Sequence, residues 1–120
     1  MEQSIFQYKH LNFAHLQSYF KDNMDKMGDL FRMFIKSTTE DEKQLNLNLE
    51  KGDYENLRVC AHRLKSAYKY LGLFEVGKIL QEVEDSAKEK LPITLIESKL
   101  KAVFLLQAEI LEEMKNYLNR

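Results

Sequence analysis

Apolar residues recur at three- and four-residue intervals through most of the chain, which is the spacing of one face of an α-helix. Polar residues fill the positions between them, so each segment is expected to have one buried stripe and one exposed face. Interruptions of this pattern divide the chain into five predicted helices, over residues 11–20, 24–49, 54–71, 74–88 and 92–118.

Capping and turn residues stand at the ends of these segments. Asn23 and Asp53 precede two of them, and both are residue types whose side-chain oxygen accepts a hydrogen bond from the first helical turn. Gly52 and Gly72 follow the ends of two helices, where a left-handed residue is common, and Pro92 is tolerated in a first turn. The connections are short, and short connections make successive helices antiparallel neighbours.

We therefore predict an all-α fold, an antiparallel up-down four-helix bundle with a short N-terminal helical lid formed by residues 11–20. Only 4 Gly and 1 Pro occur among 120 residues, which favours a few long helices over the many turns of a β domain. A chain of this length is expected to form one domain, over residues 1–120.

The overall charge and the apolar runs exclude several classes of partner. The net charge is −1 and no basic stripe runs along the chain, so we expect no nucleic acid. The longest apolar runs, such as residues 102–106, are too short for a membrane span, and the N-terminus lacks the features of a signal peptide. Cys60 is the one cysteine and fits a reducing compartment, so we expect a cytoplasmic protein. We also expect a monomer.

His62 is the candidate functional residue because it lies opposite the apolar face of its predicted helix. At about 100° per residue it points roughly 160° away from that face. The cations Arg58, Lys65 and Lys69 lie near it at helical spacing. We expect them to disfavour the imidazolium, leaving a nucleophilic neutral ring, and to hold a transferred phosphoryl group. An exposed histidine among lysines is also what an ordinary solvated helix face looks like.

The stretch over residues 61–72 resembles the signature of histidine-phosphotransfer (HPt) domains of two-component phosphorelays. In that signature a histidine is followed by an apolar residue at the second position, lysine at the third, a small residue at the fourth and glycine at the tenth. The matching residues here are His62, Leu64, Lys65, Ser66 and Gly72.

The resemblance implies a role for each matching residue. His62 is the expected phosphoacceptor, through its Nε2, and Lys65 is expected to steady the phosphoryl group. Ser66 takes the small position that lets a receiver domain approach, and its hydroxyl is able to reach the imidazole. Gly72 permits the turn into the next helix. The candidate partner-contact residues are Arg58, Val59, Lys69 and Gly72, of which Val59 is an exposed apolar spot.

The function implied is that of a histidine-containing phosphocarrier, which accepts a phosphoryl group on His62 from a receiver-domain aspartate and passes it to another receiver. The implied partners are response-regulator receiver domains and a hybrid sensor histidine kinase. We expect no cofactor of its own, with Mg²⁺ supplied by the partner receiver. Because the chain has no glycine-rich phosphate loop, we expect no ATP site and no kinase activity, hence no enzyme.

Two other interpretations stay open. The chain is alternatively an HPt-like bundle that docks receiver or kinase domains without carrying phosphate, or a helical structural protein without a receiver partner. The remaining polar groups predict no further site. His10 and His15 are badly spaced for a metal, Cys60 is expected in the core, and the carboxylates of residues 40–42 and 82–85 are expected on solvated faces.

Overall fold

The computed structural model describes residues 8–21 and 23–120, apart from the side chain of Met24, and these residues form five α-helices. They contain no strand, and the predicted all-α fold is confirmed. Each helix begins and ends within two residues of its predicted position. The helices are α1 (Phe13–Phe20), α2 (Met24–Lys51), α3 (Tyr54–Tyr70), α4 (Phe74–Lys88) and α5 (Ile93–Leu118).

The four longer helices form a closed ring in which α2 packs on α3, α3 on α4, α4 on α5 and α5 on α2. The cross-helix pairs run in opposite chain directions, as Phe34 meets Tyr68 while Asp41 meets Arg63. This is the predicted antiparallel up-down bundle, and α1 lies against α2 as the predicted lid. None of the helices in the described ranges is both long and apolar enough to cross a membrane.

The ends of the helices follow the capping residues. Oδ1 of Asn23 accepts a hydrogen bond from the Lys26 N–H at 3.1 Å, and Oδ1 of Asp53 accepts one from the Asn56 N–H at 3.1 Å. Gly52 ends α2 in the left-handed region with φ of +64°. These local bonds satisfy N–H groups that have no partner inside a helix, so α2 and α3 begin where the sequence predicts.

A chain of polar groups crosses the apolar core and joins three helices. The hydroxyl of Tyr68 donates to Gln107 Oε1 at 2.6 Å, and Gln107 Nε2 donates to Glu42 Oε1 at 2.8 Å. Burial, together with the charges of Glu42 and Asp41, raises the pKa of Tyr68 far above its usual value, so the hydroxyl keeps its proton. These directional bonds fix the rotation of α3, and with it the direction of its polar face.

The segment before α1 is held by one carboxylate. Glu113 of α5 accepts hydrogen bonds from the main-chain N–H groups of Lys9, His10 and Leu11 at 2.9 to 3.0 Å. Leu11 is buried beside it. Three oriented N–H groups compensate a largely buried carboxylate, which anchors the lid to the bundle.

The turn between α3 and α4 is built on Gly72 and supports the other end of the lid. Gly72 has φ of +79°, and a Cβ placed there would lie 2.7 Å from the ring of His15. Nε2 of His15 donates to the Tyr70 carbonyl at 3.0 Å, while Tyr19 stacks on the Tyr70 ring with centroids 4.6 Å apart. The turn therefore requires a residue that tolerates positive φ and has no side chain.

Gly72→Ala and Gly52→Ala form a matched pair that separates these two requirements. Both residues have positive φ, but no atom lies within 4 Å of a Cβ at Gly52. We expect Gly52→Ala to lower the free energy of unfolding by about 1 kcal/mol, and Gly72→Ala by about 2 kcal/mol or more, because His15 must move as well. Urea unfolding measures both, and equal losses in the two variants would contradict the role given to His15.

Candidate functional site

His62 lies on α3 with its imidazole directed away from the core, and 58% of its side chain is exposed. The opposite face of the helix is buried, as predicted, including the predicted core residue Cys60. The buried apolar residues of this face are Leu57, Cys60, Ala61, Leu64 and Tyr68. The exposed position of the candidate histidine follows from this division of the helix into two faces.

The imidazole is held by a carboxylate of the neighbouring helix. Nδ1 of His62 lies 2.9 Å from Oε2 of Glu84 on α4, and only 16% of the Glu84 side chain is exposed. Burial alone would raise the pKa of Glu84, but the contacts with Lys65 and His62 outweigh it and leave the pKa below its usual value. Glu84 is therefore ionised at neutral pH.

The charge on Glu84 fixes the tautomer of a neutral His62. An ionised carboxylate has no proton to donate, so the hydrogen bond requires the proton to sit on Nδ1 of the imidazole. Nε2 then keeps its lone pair, and it forms no hydrogen bond with any described residue. The site presents to solvent a ring nitrogen that is both oriented and available as a nucleophile.

Lys65 is the second partner of the same carboxylate. Its Nζ lies 2.9 Å from Oε1 of Glu84 and donates a hydrogen bond to Oε1 of Gln81 at 2.6 Å. Only 8% of Lys65 is exposed, and Gln81 is itself held by a bond to Asp85 Oδ1 at 2.9 Å. The ammonium expected beside the imidazole in solvent is thus buried between α3 and α4 and already paired.

The electrostatic surroundings of His62 differ from the expectation that cations dominate them. Arg58 pairs with Glu55 at 2.6 Å, and Arg63 pairs with Asp41 at 2.9 Å. With Lys65 bound to Glu84, the one predicted cation without an ion pair in the described ranges is Lys69. The charge in direct contact with the ring is the negative charge of Glu84, which the sequence analysis did not place there.

The other predicted site residues occupy three different places. The Ser66 hydroxyl donates to the main-chain carbonyl of His62 at 3.1 Å and not to the imidazole. Val59 is exposed on the same side of α3 as His62. Gly72 lies ten residues along the chain from His62, at the turn beneath the lid, and it contacts His15. Ser66 and Val59 therefore border the histidine, whereas Gly72 lies away from it and forms the turn between α3 and α4.

Glu84 and Gln81 are the site residues that the helix-by-helix prediction missed. The carboxylates Asp41 and Glu84 were expected on solvated faces, yet both side chains are mostly covered and pair with residues of α3. The sequence does contain a signal for these contacts, in the register of the α3–α4 hairpin. Residues 62 and 84 are the same number of positions along the chain from Leu73 in the turn, and so are residues 65 and 81. Pairing α3 with α4 about that turn would have placed both residues beside the histidine.

An apolar groove between α2 and α3 begins one helical turn from His62. Ser66 forms part of its wall, and Met33 and Tyr70 are the exposed apolar side chains along it, with 69% and 47% of their surface accessible. The other lining residues are Leu30, Phe34, Ser37, Ala67 and Leu71. The histidine is thus flanked by an ionic network toward α4 and by an apolar surface toward α2.

The tautomer of His62 tests the role of Glu84 directly. We expect ¹⁵N NMR of the neutral ring to show the proton on Nδ1 in the wild type, and a mixture of both tautomers in Glu84→Ala. Glu82→Ala is the matched control, since Glu82 is a carboxylate of the same helix that contacts Lys99 at 3.2 Å instead. A wild-type ring with its proton on Nε2 would contradict the arrangement.

Comparison with known proteins identifies the family to which the chain belongs. The family model described as "Hpt domain" matches residues 29–119, which include α3, α4, α5 and most of α2. Comparison with the curated proteins and with the solved structures gave no significant match. The match covers about three quarters of the chain and contains the histidine, its lysine and the glutamate that joins them. The chain therefore belongs to the Hpt domain family.

Proposed function

We propose that the protein is a histidine phosphocarrier, which takes a phosphoryl group from a receiver-domain aspartate onto Nε2 of His62 and passes it to another receiver. Membership of the Hpt family implies histidine phosphotransfer in a phosphorelay. The observation that carries the assignment to His62 is its geometry, an exposed ring whose Nδ1 is bound to Glu84 and whose Nε2 is open.

The transfer needs no proton to leave the ring. The Nε2 lone pair attacks phosphorus, an N–P bond forms, and the O–P bond to the aspartyl oxygen breaks, so the aspartate leaves as a carboxylate. The imidazole then carries a positive charge, with its proton still on Nδ1. Glu84 accepts the hydrogen bond from that N–H throughout, and the bond strengthens as the ring becomes charged.

The surface next to His62 determines where a receiver docks, because the aspartyl phosphate must come in line with Nε2. The groove lined by Met33, Ser66 and Tyr70 borders the ring and supplies apolar area that a partner buries. Val59, which is also exposed, extends this apolar surface along α3. Of the predicted contact residues, Val59 lies on the groove side of His62, whereas Arg58 and Lys69 lie toward α4, where Lys69 packs against Gly77.

The remaining components are proposed to come from the partners. Mg²⁺ belongs to the receiver, where it accompanies the phosphorylated aspartate, and a hybrid sensor histidine kinase supplies the phosphoryl group at the start of the relay. The chain offers a nucleophile and its supporting groups, and no glycine-rich loop of the kind that cradles ATP phosphates. We propose a cytoplasmic monomer that carries phosphate between other proteins.

Phosphoryl transfer to His62 is the first prediction of this function. Incubating the chain with a phosphorylated receiver domain and Mg²⁺ should add one phosphoryl group, seen by intact mass spectrometry at neutral pH and lost after acid treatment. His62→Gln should abolish the adduct, and His10→Gln should retain it, since His10 lies away from the site against Glu109.

The same experiment separates the two main interpretations. A panel of receivers that bind the chain but never phosphorylate it would favour the HPt-like docking bundle. Absence of both binding and transfer would return the chain to a helical bundle without a receiver partner.

The docking surface gives a second prediction. Met33→Glu should weaken receiver binding at least about tenfold, or about 1.4 kcal/mol, because it places a charge in an apolar contact. Leu105→Glu is the matched control, since Leu105 on α5 is 70% exposed and Met33 is 69% exposed. Isothermal titration with a receiver domain compares the two. Equal weakening in both variants would argue against docking at the groove.

A further inference from the structure

The structure sorts the cations near His62 into paired and unpaired groups. Arg58 and Lys65 each lie within 2.9 Å of a carboxylate oxygen, and Lys65 is buried as well. Lys69 is exposed, and its ammonium forms neither an ion pair nor a hydrogen bond with any residue in the described ranges. An incoming phosphoryl group therefore meets one ammonium whose charge is not already compensated.

The aliphatic stem of Lys69 packs against Gly77 on α4. A Cβ at Gly77 would lie 3.1 Å from Lys69 Cγ, 3.6 Å from Lys69 Cε and 3.9 Å from the Lys65 carbonyl oxygen. The stem thus lies against α4 beside the turn that joins Lys65 to Lys69. Helical side chains incline toward the N-terminus of their helix, which for Lys69 is the direction of His62.

The position of Lys69 on α3 brings its ammonium to the His62 side of the helix. Seven residues separate the two side chains, nearly two full turns, so both project from the same face with about 10 Å of rise between their Cα atoms. The four-carbon stem of lysine spans much of that distance while the ammonium stays in solvent. Packing of the Lys69 stem against Gly77 limits the directions in which the ammonium can point.

We propose that Lys69, and not the paired Lys65, is the cation that stabilises the phosphoryl group on His62. This inference rests on the proposed function. Lys65 keeps Glu84 ionised and oriented, so it acts on the ring through that carboxylate, whereas Lys69 contacts the phosphoryl oxygens. The HPt signature places the supporting lysine at the third position after the histidine, and this chain is proposed to use the seventh.

Phosphoramidate tests the proposal without a partner protein. Nε2 of His62 attacks its phosphorus, the N–P bond to the leaving nitrogen breaks, and ammonia departs. We expect Lys69→Met to lower the rate of phosphorylation of His62 about fivefold or more and to shorten the lifetime of the phosphohistidine, because one charge-assisted bond is lost. Lys69→Arg should restore most of both quantities, and mass spectrometry follows each.

Lys101→Met is the matched control, because Lys101 is an exposed lysine on α5, on the other side of the bundle. This variant should behave as wild type. Unchanged thermal unfolding of Lys69→Met would exclude a structural cause. Wild-type rates in Lys69→Met, with His62 phosphorylated, would overturn the proposal and leave the phosphocarrier function intact. Failure of the wild type to take phosphate from phosphoramidate or from any receiver would overturn both.

Discussion

The backbone of Gly72 sets the register on which the site depends. Its positive φ closes the connection between α3 and α4 in three residues, so α4 begins at Phe74 and runs back along α3 in one alignment. Glu84, Gln81 and Gly77 face α3 because of that alignment. One more residue in the turn would rotate α4 by about 100° and direct a different set of side chains toward the histidine.

Periodicity predicted the helices well because each helix shows its own two faces in its own sequence. The exposure of His62, the caps at Asn23 and Asp53, and the burial of Cys60 all follow from local pattern. Glu84 could not be recognised in this way, because on its own helix it is one polar residue among several. Its contacts with His62 and Lys65 depend on the register between α3 and α4 and not on the composition of α4.

Charge prediction failed for a related reason. A lysine or arginine counted along one helix is treated as a free cation, whereas in the folded chain Lys65 and Arg63 meet carboxylates of α4 and α2. This pairing leaves Lys69 as the one predicted cation near the histidine that forms no ion pair with a described residue.

Glu113 recognises the segment before α1 through main-chain N–H groups alone. Such recognition does not depend on the side chain of Lys9, so that position can vary while the carboxylate of Glu113 cannot. Proline is the exception, since it has no N–H to offer. His10 has a contact of its own, because its Nε2 lies 2.7 Å from Oε1 of Glu109. The attachment of the lid thus depends on Glu113, near the C-terminal end of α5. Among related chains, we expect position 9 to vary widely and position 113 to vary little.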